Sequence, residues 1–390
     1  MDMLFNLPSV DPNVDYKRHN EEVKQVWDAF HRGDPIRVPM TLGVNPRVLL
    51  CNPKYNPRGI SFEDYWNDPD IMLEVQCEFA YYRDHFLFYD HNMGLPNEWW
   101  IGVDPQNFGE AAWLGAPLKF IPGDTPDTTV PLNDDNREML FEKGIPDPFS
   151  GVMGRIRDYY EYFNNGKHTF MGRPVKAGRG MLGTDGPMTI ACSLRGATEF
   201  CIELYEDPDY AMQLLEFITE ATIMRIRAWR DYYGLGTPDG MYIADDSIAL
   251  LSVKDYKRFI LPFHKRIISE LTTGKGTNQI HLCGDATRHF KTIRDELNVR
   301  YYDTGFPVEH GKICSELGDS VIVYGGPRID ILKSGTAEEI ENETRRILED
   351  IIPVSKSFVI RDANNLAPGT SPENIQIMYD TVKKYGMYKK

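Results

Sequence analysis

The sequence contains little cysteine, six residues in a chain of 390. Their spacing follows no framework pattern, which argues against a disulfide-stapled secreted domain. The opening residues also lack the basic segment and long apolar run of a signal peptide. We therefore expect a protein of the reducing cytoplasm. The cysteines are Cys51, Cys77, Cys192, Cys201, Cys283 and Cys314.

Long apolar runs and an excess of positive charge are missing as well. No stretch approaches the ~20 apolar residues that a membrane helix needs. The chain has 43 Lys and Arg residues against 58 Asp and Glu residues, a formal net charge of −15. Because phosphate backbones and anionic lipids repel so acidic a chain, we expect neither nucleic acid nor a membrane as a partner. A homo-oligomer is compatible with this composition.

The sequence does contain enough apolar material for a large core, since 42% of its residues are hydrophobic and 12% are aromatic. The length suits one large domain over residues 1–390. Residues 1–35 are interpreted as an N-terminal extension, with a helix over 19–30. Residues 92–175 are rich in glycine, proline and aromatic side chains, which indicates an insertion or lid. Its rings could line a flat apolar substrate or simply pack the insertion onto the body.

Short apolar strands alternate with amphipathic helices from residue 241 onward. This rhythm predicts an α/β fold with a parallel sheet covered by helices. With two earlier strands, the number favours a (β/α)8 TIM barrel over an open, doubly wound sheet. No glycine fingerprint for a phosphate stands between a strand and a helix. The predicted strands are 37–43, 175–178, 241–244, 279–283, 299–302, 321–324 and 358–360.

The strand at 279–283 carries two residue types that bind metals. Residues i and i+2 of a strand point to the same face, so His281 and Cys283 project side by side. An imidazole and a thiolate form a pair suited to zinc. The alternative is that both are ordinary core residues, since free cysteine is among the most buried residue types.

Further polar residues follow other predicted strands. The active site of such a barrel lies at the carboxyl ends of its strands, where the sequence places Asp245, Asp246 and Arg361. Catalytic zinc needs three protein ligands from several elements, so this convergence favours the metal interpretation. The two aspartates could instead only receive backbone donors, and Arg361 could only pair with an acidic neighbour.

The remaining candidates are interpreted as structural. Asp303 is expected to bond loop amides, and Cys314 is expected in the core because it falls in a short helix. His264, His289 and His310 are interpreted as surface residues on helices or loops.

The segment His281-Leu282-Cys283-Gly284-Asp285 resembles the His-x-Cys-Gly-Asn segment of the uroporphyrinogen decarboxylase/cobamide-dependent methyltransferase superfamily. Other segments agree in order, and the resemblance covers residues 180–385 best. It implies a (β/α)8 barrel. The agreeing segments are 185–191, 245–246 with 252–265, 335–339 and 367–374.

The methyltransferase branch of this superfamily holds zinc with His-x-Cys and a later Cys in a Gly-Cys-Gly turn. Here Ala363-Asn364-Asn365 occupies that turn, so Asn364 stands where the thiolate would be. A site with one thiolate fewer leaves zinc a stronger Lewis acid, suited to polarising an ether, alcohol or amine. The third ligand stays open among Asp246, Asp245 and Asn364.

The resemblance predicts a zinc-dependent methyltransferase of the O-demethylase type. It would move a methyl group from a small donor, such as a methoxylated aromatic, to the cob(I)alamin of a separate corrinoid protein. The Asp-x-His-x-x-Gly signature of a cobalamin-binding domain is absent from the sequence, so a partner would have to carry this cofactor. The predicted metal ligands are His281, Cys283 and Asn364, and the predicted catalytic residues are Asp245, Asp246 and Arg361.

Two alternatives are kept. A uroporphyrinogen-decarboxylase-like lyase without metal would use Arg361 and the acidic residues. Decarboxylases of the family grip the tetrapyrrole carboxylates with an Arg-rich segment, and nothing similar precedes residue 60. A net charge of −15 also suits an anionic porphyrinogen poorly. The other alternative is a non-catalytic barrel that binds a ligand without converting it.

Overall fold

The computed structural model describes residues 3–388. Met1 and Asp2, where the signal-peptide argument begins, lie outside the described residues. The helices are α1 (Tyr16–His31), α2 (Arg47–Leu50), α3 (Phe62–Asn67), α4 (Pro69–Phe86), α5 (Gly109–Trp113), α6 (Met139–Lys143), α7 (Gly151–Asn165), α8 (Pro187–Arg195), α9 (Ala197–Glu206), α10 (Pro208–Tyr232), α11 (Val253–Asp255), α12 (Leu261–Leu271), α13 (Phe290–Leu297), α14 (His310–Leu317), α15 (Ile329–Ser334), α16 (Ala337–Ile351) and α17 (Pro372–Tyr385).

The strands have two to six residues each, and two 3₁₀ turns and a π-helical turn accompany them. The 3₁₀ turns are Asp246–Leu250 and Thr287–His289, and the π turn is Tyr256–Ile260. The strands are β1 (Trp99–Ile101), β2 (Leu118–Lys119), β3 (Asp127–Thr128), β4 (Thr169–Phe170), β5 (Arg173–Ala177), β6 (Thr184–Asp185), β7 (Tyr242–Ala244), β8 (Asn278–Leu282), β9 (Val299–Thr304), β10 (Ile322–Gly325) and β11 (Phe358–Ile360).

Local sequence signals place the helix starts. The Asp207 side chain accepts a hydrogen bond from the Tyr210 N–H, and Pro208 opens α10 because the first helical position needs no N–H donor. Thr336 and Glu339 form the predicted capping box at the start of α16. These starts are therefore confirmed as the sequence predicts them.

The chain divides into two compact units, which we call the terminal unit and the central unit. The terminal unit takes in the chain up to Ile101, Lys167–Lys176, and the chain from Asp303 onward. The central unit takes in Gly102–Gly166 and Ala177–Tyr302. Each unit is described by itself below.

The central unit contains parallel strands in the order β6, β7, β8 and β9. In the register between them, Asp185 lies beside Ala244, and Ala244 lies beside His281. On the opposite face of β7, Ile243 is buried in an apolar cluster with α10 and α12. Helices thus cover one face of this part of the sheet, and polar residues appear on the other face at the strand ends.

The terminal unit contains β10 and β11, paired in parallel with Gly325 beside Ile360. The predicted first strand, 37–43, is only partly formed. The Ile360 N–H donates to the Pro39 carbonyl at 2.9 Å, and the Thr41 N–H donates to the Ile360 carbonyl at 2.9 Å. A regular ladder does not extend from these bonds because Pro39 has no N–H to donate.

The predicted strand at 175–178 is confirmed as a strand, but it does not belong to the parallel sheet. Residues Arg173–Ala177 form β5, which pairs in antiparallel fashion with β4 in a small separate sheet of order β1-β5-β4. The parallel strand at this point of the chain is β6, which spans only Thr184–Asp185. A strand of two residues gives too little apolar alternation for sequence periodicity to reveal it.

The predicted insertion, 92–175, is more regular than its composition suggests, because it includes α5, α6 and α7. Several of its rings are buried rather than open: Trp99 donates to the Phe170 carbonyl at 2.9 Å, and Trp113 donates to the Asp147 carbonyl at 3.0 Å. Trp100, by contrast, is 63% exposed. Within residues 3–388, no helix is both long enough and apolar enough to cross a bilayer.

Candidate metal centre

Two consecutive aspartates follow β7, and the structure gives them different surroundings. Asp245 is fully buried. One of its oxygens accepts from the N–H and the hydroxyl of Thr189, both at 2.8 Å. The other oxygen accepts from Nε2 of His264 at 2.7 Å, and Nδ1 of His264 accepts from the Tyr256 hydroxyl at 3.1 Å. Asp245 is thus held by partners on both oxygens.

Asp246 is half-buried and lies beside His281 of β8 and Cys283, which directly follows this strand. One ligand atom each from Asp246, His281 and Cys283 lie within 4.8 Å of one another. Nε2 of His281 lies 3.0 Å from the Cys283 sulfur and 3.8 Å from Oδ1 of Asp246. The sequence leaves the choice between the aspartates open, and the structure brings Asp246 to the pair.

The carboxylate of Asp246 also holds the backbone of Cys283. Its Oδ1 accepts from the Cys283 N–H at 2.6 Å. This bond ties the 3₁₀ turn that starts at Asp246 to the end of β8. The three donor groups are therefore positioned relative to one another by the main chain as well as by their side chains.

Hydrogen bonds from neighbouring buried and half-buried groups hold the 3₁₀ turn Asp246–Leu250 in place. Nε2–H of His289 donates to the Ile248 carbonyl at 3.0 Å and to the Leu251 carbonyl at 3.1 Å. The Thr189 hydroxyl accepts from the Ser247 N–H at 3.1 Å. Burial, followed by the charge of Arg288, lowers the pKa of His289 to about 4, so its ring is neutral near pH 7.

The interpretation of three histidines as surface residues is wrong. His264 and His289 are fully buried and hold the Asp245–Leu251 segment, and His310 is buried in α14 of the terminal unit. Burial lowers the pKa of His310 to about 4. Cys314 is buried in the same helix, as predicted. All six cysteines, which lie within the described residues, are free thiols.

Another carboxyl lies in the same row of the central sheet. Asp185, Ala244 and His281 occupy matching positions of β6, β7 and β8, so their side chains share one face. Burial raises the pKa of Asp185 well above its ordinary value. The charges of Glu110 and Asp246 raise it further.

A family comparison decides which group of proteins this chain resembles. The model of the family described as uroporphyrinogen decarboxylase (URO-D) matches residues 108–385. The chain belongs to the URO-D family. Members of this family have a (β/α)8 barrel fold, so the predicted fold class and the predicted superfamily are confirmed.

Two curated relatives are methyltransferases of Methanosarcina mazei. The methylated-thiol–coenzyme M methyltransferase is 24% identical over 197 residues, which are 49% of this chain and 49% of the relative. The methylcobamide:CoM methyltransferase MtbA is 22% identical over 202 residues, 51% of this chain and 56% of the relative. The chain spans about half the length of the curated relatives it matches.

A solved structure extends the likeness along most of the URO-D chain. It is a methyltransferase from Methanosarcina mazei, with a TM-score of 0.63, 16% identity, and coverage of 93% of this chain and 98% of that chain. At this identity the match shows that the two chains share a fold.

The other predicted site residues of this URO-D chain lie in the terminal unit. Nη1 of Arg361 lies 2.6 Å from Oδ1 of Asp303, and its Nη2 donates to the Asn364 carbonyl. Arg361 therefore pairs with an acidic neighbour, which is the alternative that the sequence left open. Asn364 has a backbone φ of 143°, in the region that non-glycine residues seldom adopt.

The buried carboxyl of Asp362 completes this loop. Its Oδ1 accepts from the Gly43 N–H at 2.7 Å, and burial raises the pKa of Asp362 to about 7. Gly43 fits here because it has no Cβ; a Cβ at this position would lie 1.6 Å from Nη2 of Arg361. The loop 361–365 is thus tightly packed around its arginine.

Proposed function

We propose that the chain is a zinc-dependent methyltransferase. It would move a methyl group from a small donor to the cob(I)alamin of a separate corrinoid protein. The observation that carries the proposal is the approach of Asp246, His281 and Cys283, whose donor atoms lie within 4.8 Å of one another at the carboxyl ends of β7 and β8. The names of the two curated relatives, both methyltransferases, support the same reaction class.

The donor set fits zinc. One imidazole nitrogen, one thiolate and one carboxylate oxygen are the ligand types that zinc takes, and three protein ligands leave a position open for substrate. When bound, zinc would supply a Lewis acid that polarises the oxygen or nitrogen carrying the methyl group. His281, Cys283 and Asp246 would hold it.

The chain's own residues would perform the remaining tasks. Asp245 carries hydrogen bonds on both oxygens, so its role is to fix the turn that presents Asp246. Arg361, paired with Asp303, would hold the loop 361–365. The donor that we propose is a methoxylated aromatic.

The proposal is tested by metal analysis and by methyl transfer in the same preparations. We expect one zinc per chain in the wild type and loss of zinc in His281→Ala and Cys283→Ala. Cys201→Ser, which changes a half-buried thiol of α9, is the matched control and should keep its zinc. The second assay follows methylcobalamin formed from chemically reduced cob(I)alamin and 2-methoxyphenol. An active wild type without zinc would reject the metal, and a zinc protein that methylates no cob(I)alamin from a panel of methyl donors would reject the reaction.

A metal-free lyase is the second candidate because the matching family model carries the description of a decarboxylase. It predicts carbon dioxide release from a carboxylated substrate, with a rate that is unaffected by Cys283→Ala. A binding protein without turnover would give neither methylcobalamin nor carbon dioxide. The three outcomes are therefore separable in one set of preparations.

A further inference from the structure

Asp185 lies in the candidate site but has no part in holding the metal. It ends β6, next to Ala244 of β7, which in turn lies next to His281 of β8. Neighbouring strands are about 4.8 Å apart, so the backbones of Asp185 and His281 are separated by about 10 Å. The two side chains share a face, and Ala244 occupies the position between them on β7.

The Asp185 carboxyl lacks the partners that occupy other acidic groups. Within residues 3–388, no donor lies within hydrogen-bonding distance of its side-chain oxygens, whereas Asp245 and Asp246 accept the bonds described above. Glu110 of α5 pairs with Arg225 of α10 at 3.2 Å. The charges of Glu110, Asp246 and Asp245 all act on the Asp185 carboxyl.

Arg225 does not supply the missing partner. It is fully buried, and besides Glu110 its guanidinium donates to the carbonyls of Met181 and Gly183 at 3.1 and 3.2 Å. The groups that face Asp185 are therefore acidic apart from Arg225, with the imidazole of His281 across Ala244. Burial, and then the charges of Glu110, Asp246 and Asp245, keep the pKa of Asp185 well above its ordinary value. This environment favours the protonated form of the Asp185 carboxyl, which is the form that can donate a proton.

We propose that Asp185 is a catalytic residue that donates a proton to the atom from which the methyl group departs. The inference rests on the proposed methyl transfer. The bond between the methyl carbon and the donor oxygen breaks, and its electron pair stays on the oxygen. The methyl group forms a bond to cobalt with the electron pair of cob(I)alamin. The proton of Asp185 passes to the oxygen, which leaves a phenol and an Asp185 carboxylate that solvent protonates again.

The test compares donors whose leaving oxygens differ in basicity. With 2-methoxyphenol, Asp185→Asn should lower kcat about 100-fold, within the range typical of a lost general acid. With 2-methoxy-5-nitrophenol, whose nitro group lies para to the leaving oxygen and lowers its basicity, the loss should be several-fold smaller. Asp209→Asn, which removes an exposed carboxylate from the first turn of α10, is the control and should leave both rates unchanged. Zinc content and thermal unfolding confirm that each variant is folded and loaded.

Two further readouts separate proton donation from a structural role. The rate of the wild type should fall as the pH rises through the pKa of Asp185, and this fall should vanish in Asp185→Asn. Isotope-edited infrared spectra at pH 7 should contain a neutral carboxyl band that the variant lacks. An equal loss with both donors, or a loss confined to cationic donors such as tetramethylammonium, overturns the inference while methyl transfer stands. A wild type that forms no methylcobalamin from any donor overturns the proposed function itself.

Discussion

The carboxylate of Asp246 has two roles in the candidate site. It accepts a hydrogen bond from the Cys283 N–H at 2.6 Å, and it is one of the three candidate metal ligands. A second ligand that also fixes the backbone of the first pre-organises the site, because less ordering is needed when the metal arrives. The preceding residue, Asp245, is not positioned as a metal ligand, because its oxygens already accept hydrogen bonds from Thr189 and His264.

At this scale the first prediction concerns Asp246→Asn. The amide is a weaker zinc ligand than the carboxylate, so zinc affinity should fall by about 10-fold or more. The measurement is competition for zinc against a chromophoric chelator. Asp285→Asn removes the same charge from an exposed position two residues beyond Cys283 and should leave the affinity unchanged. Equal losses in both variants would point to net charge rather than ligation.

Residue types alone predicted His281 and Cys283, because side-chain alternation in a strand is a local rule. The burial of His264 could also have been predicted from the sequence. Ile267 and Leu271 follow it at i+3 and i+7, so the three residues lie on one face of the helix. The role of Asp185 was not, since it depends on the register of β6 against β7, which residues far apart in sequence determine.

The element that decides the geometry of the candidate site is the 3₁₀ turn Asp246–Leu250. So short a helix cannot satisfy all of its carbonyl groups with its own N–H groups. Nε2–H of His289 donates a hydrogen bond to the Ile248 carbonyl. The buried imidazole of His289 thereby helps to fix the position of this turn, whose first residue, Asp246, is a candidate metal ligand. Loss of this donor removes one of the two hydrogen bonds at the Ile248 carbonyl, which keeps its bond from the Leu251 N–H at 3.0 Å.

The second prediction follows from the pKa of His289, which burial lowers to about 4 from an unfolded value near 6.5. The folded protein binds fewer protons at this site than the unfolded chain between these values. The stability that neutral His289 provides is therefore complete above about pH 6.5 and is lost as the pH falls toward 4. In His289→Gln, whose amide can still donate but does not titrate, urea unfolding should lose less free energy between pH 7 and pH 5.

His289→Ala is the companion variant, because it removes the donor altogether. Its free energy of unfolding at pH 7 should fall by about 1–3 kcal/mol, because two buried hydrogen bonds are lost that are each worth about 0.5–1.5 kcal/mol. An acid sensitivity in His289→Gln equal to that of the wild type would assign the effect to other groups, such as His310.

At the scale of the whole molecule, the strand–helix rhythm after residue 241 was enough to predict the fold class, because near-continuous apolar strands separated by helices have few solutions. Short elements were not predictable. The two-residue β6 carries no periodic signal, and the pairing at 39–41 is recognisable only when its partner Ile360 is known. The helices of the predicted insertion were not predicted, because its sequence is rich in glycine and proline and gives little helical periodicity.

Zinc binding should be visible in the stability of the whole chain. A ligand that binds only the folded state at about 100 times its dissociation constant raises the free energy of unfolding by about 2.7 kcal/mol. We expect a rise of this size when zinc is added to chelator-treated wild type, measured by thermal or urea unfolding. Cys283→Ala should show no comparable rise, whereas Cys201→Ser should respond like the wild type. An equal rise in the free energy of unfolding of Cys283→Ala would show that zinc binds at a site that does not include Cys283.

The smallest side chain in the row across β6, β7 and β8 belongs to Ala244, which separates a proposed proton donor from a proposed metal ligand. A single methyl group there sets the clearance available to whatever molecule enters. Evolution, or an engineer, could therefore narrow the choice of methyl donors by enlarging this one position, without altering any group that takes part in the reaction.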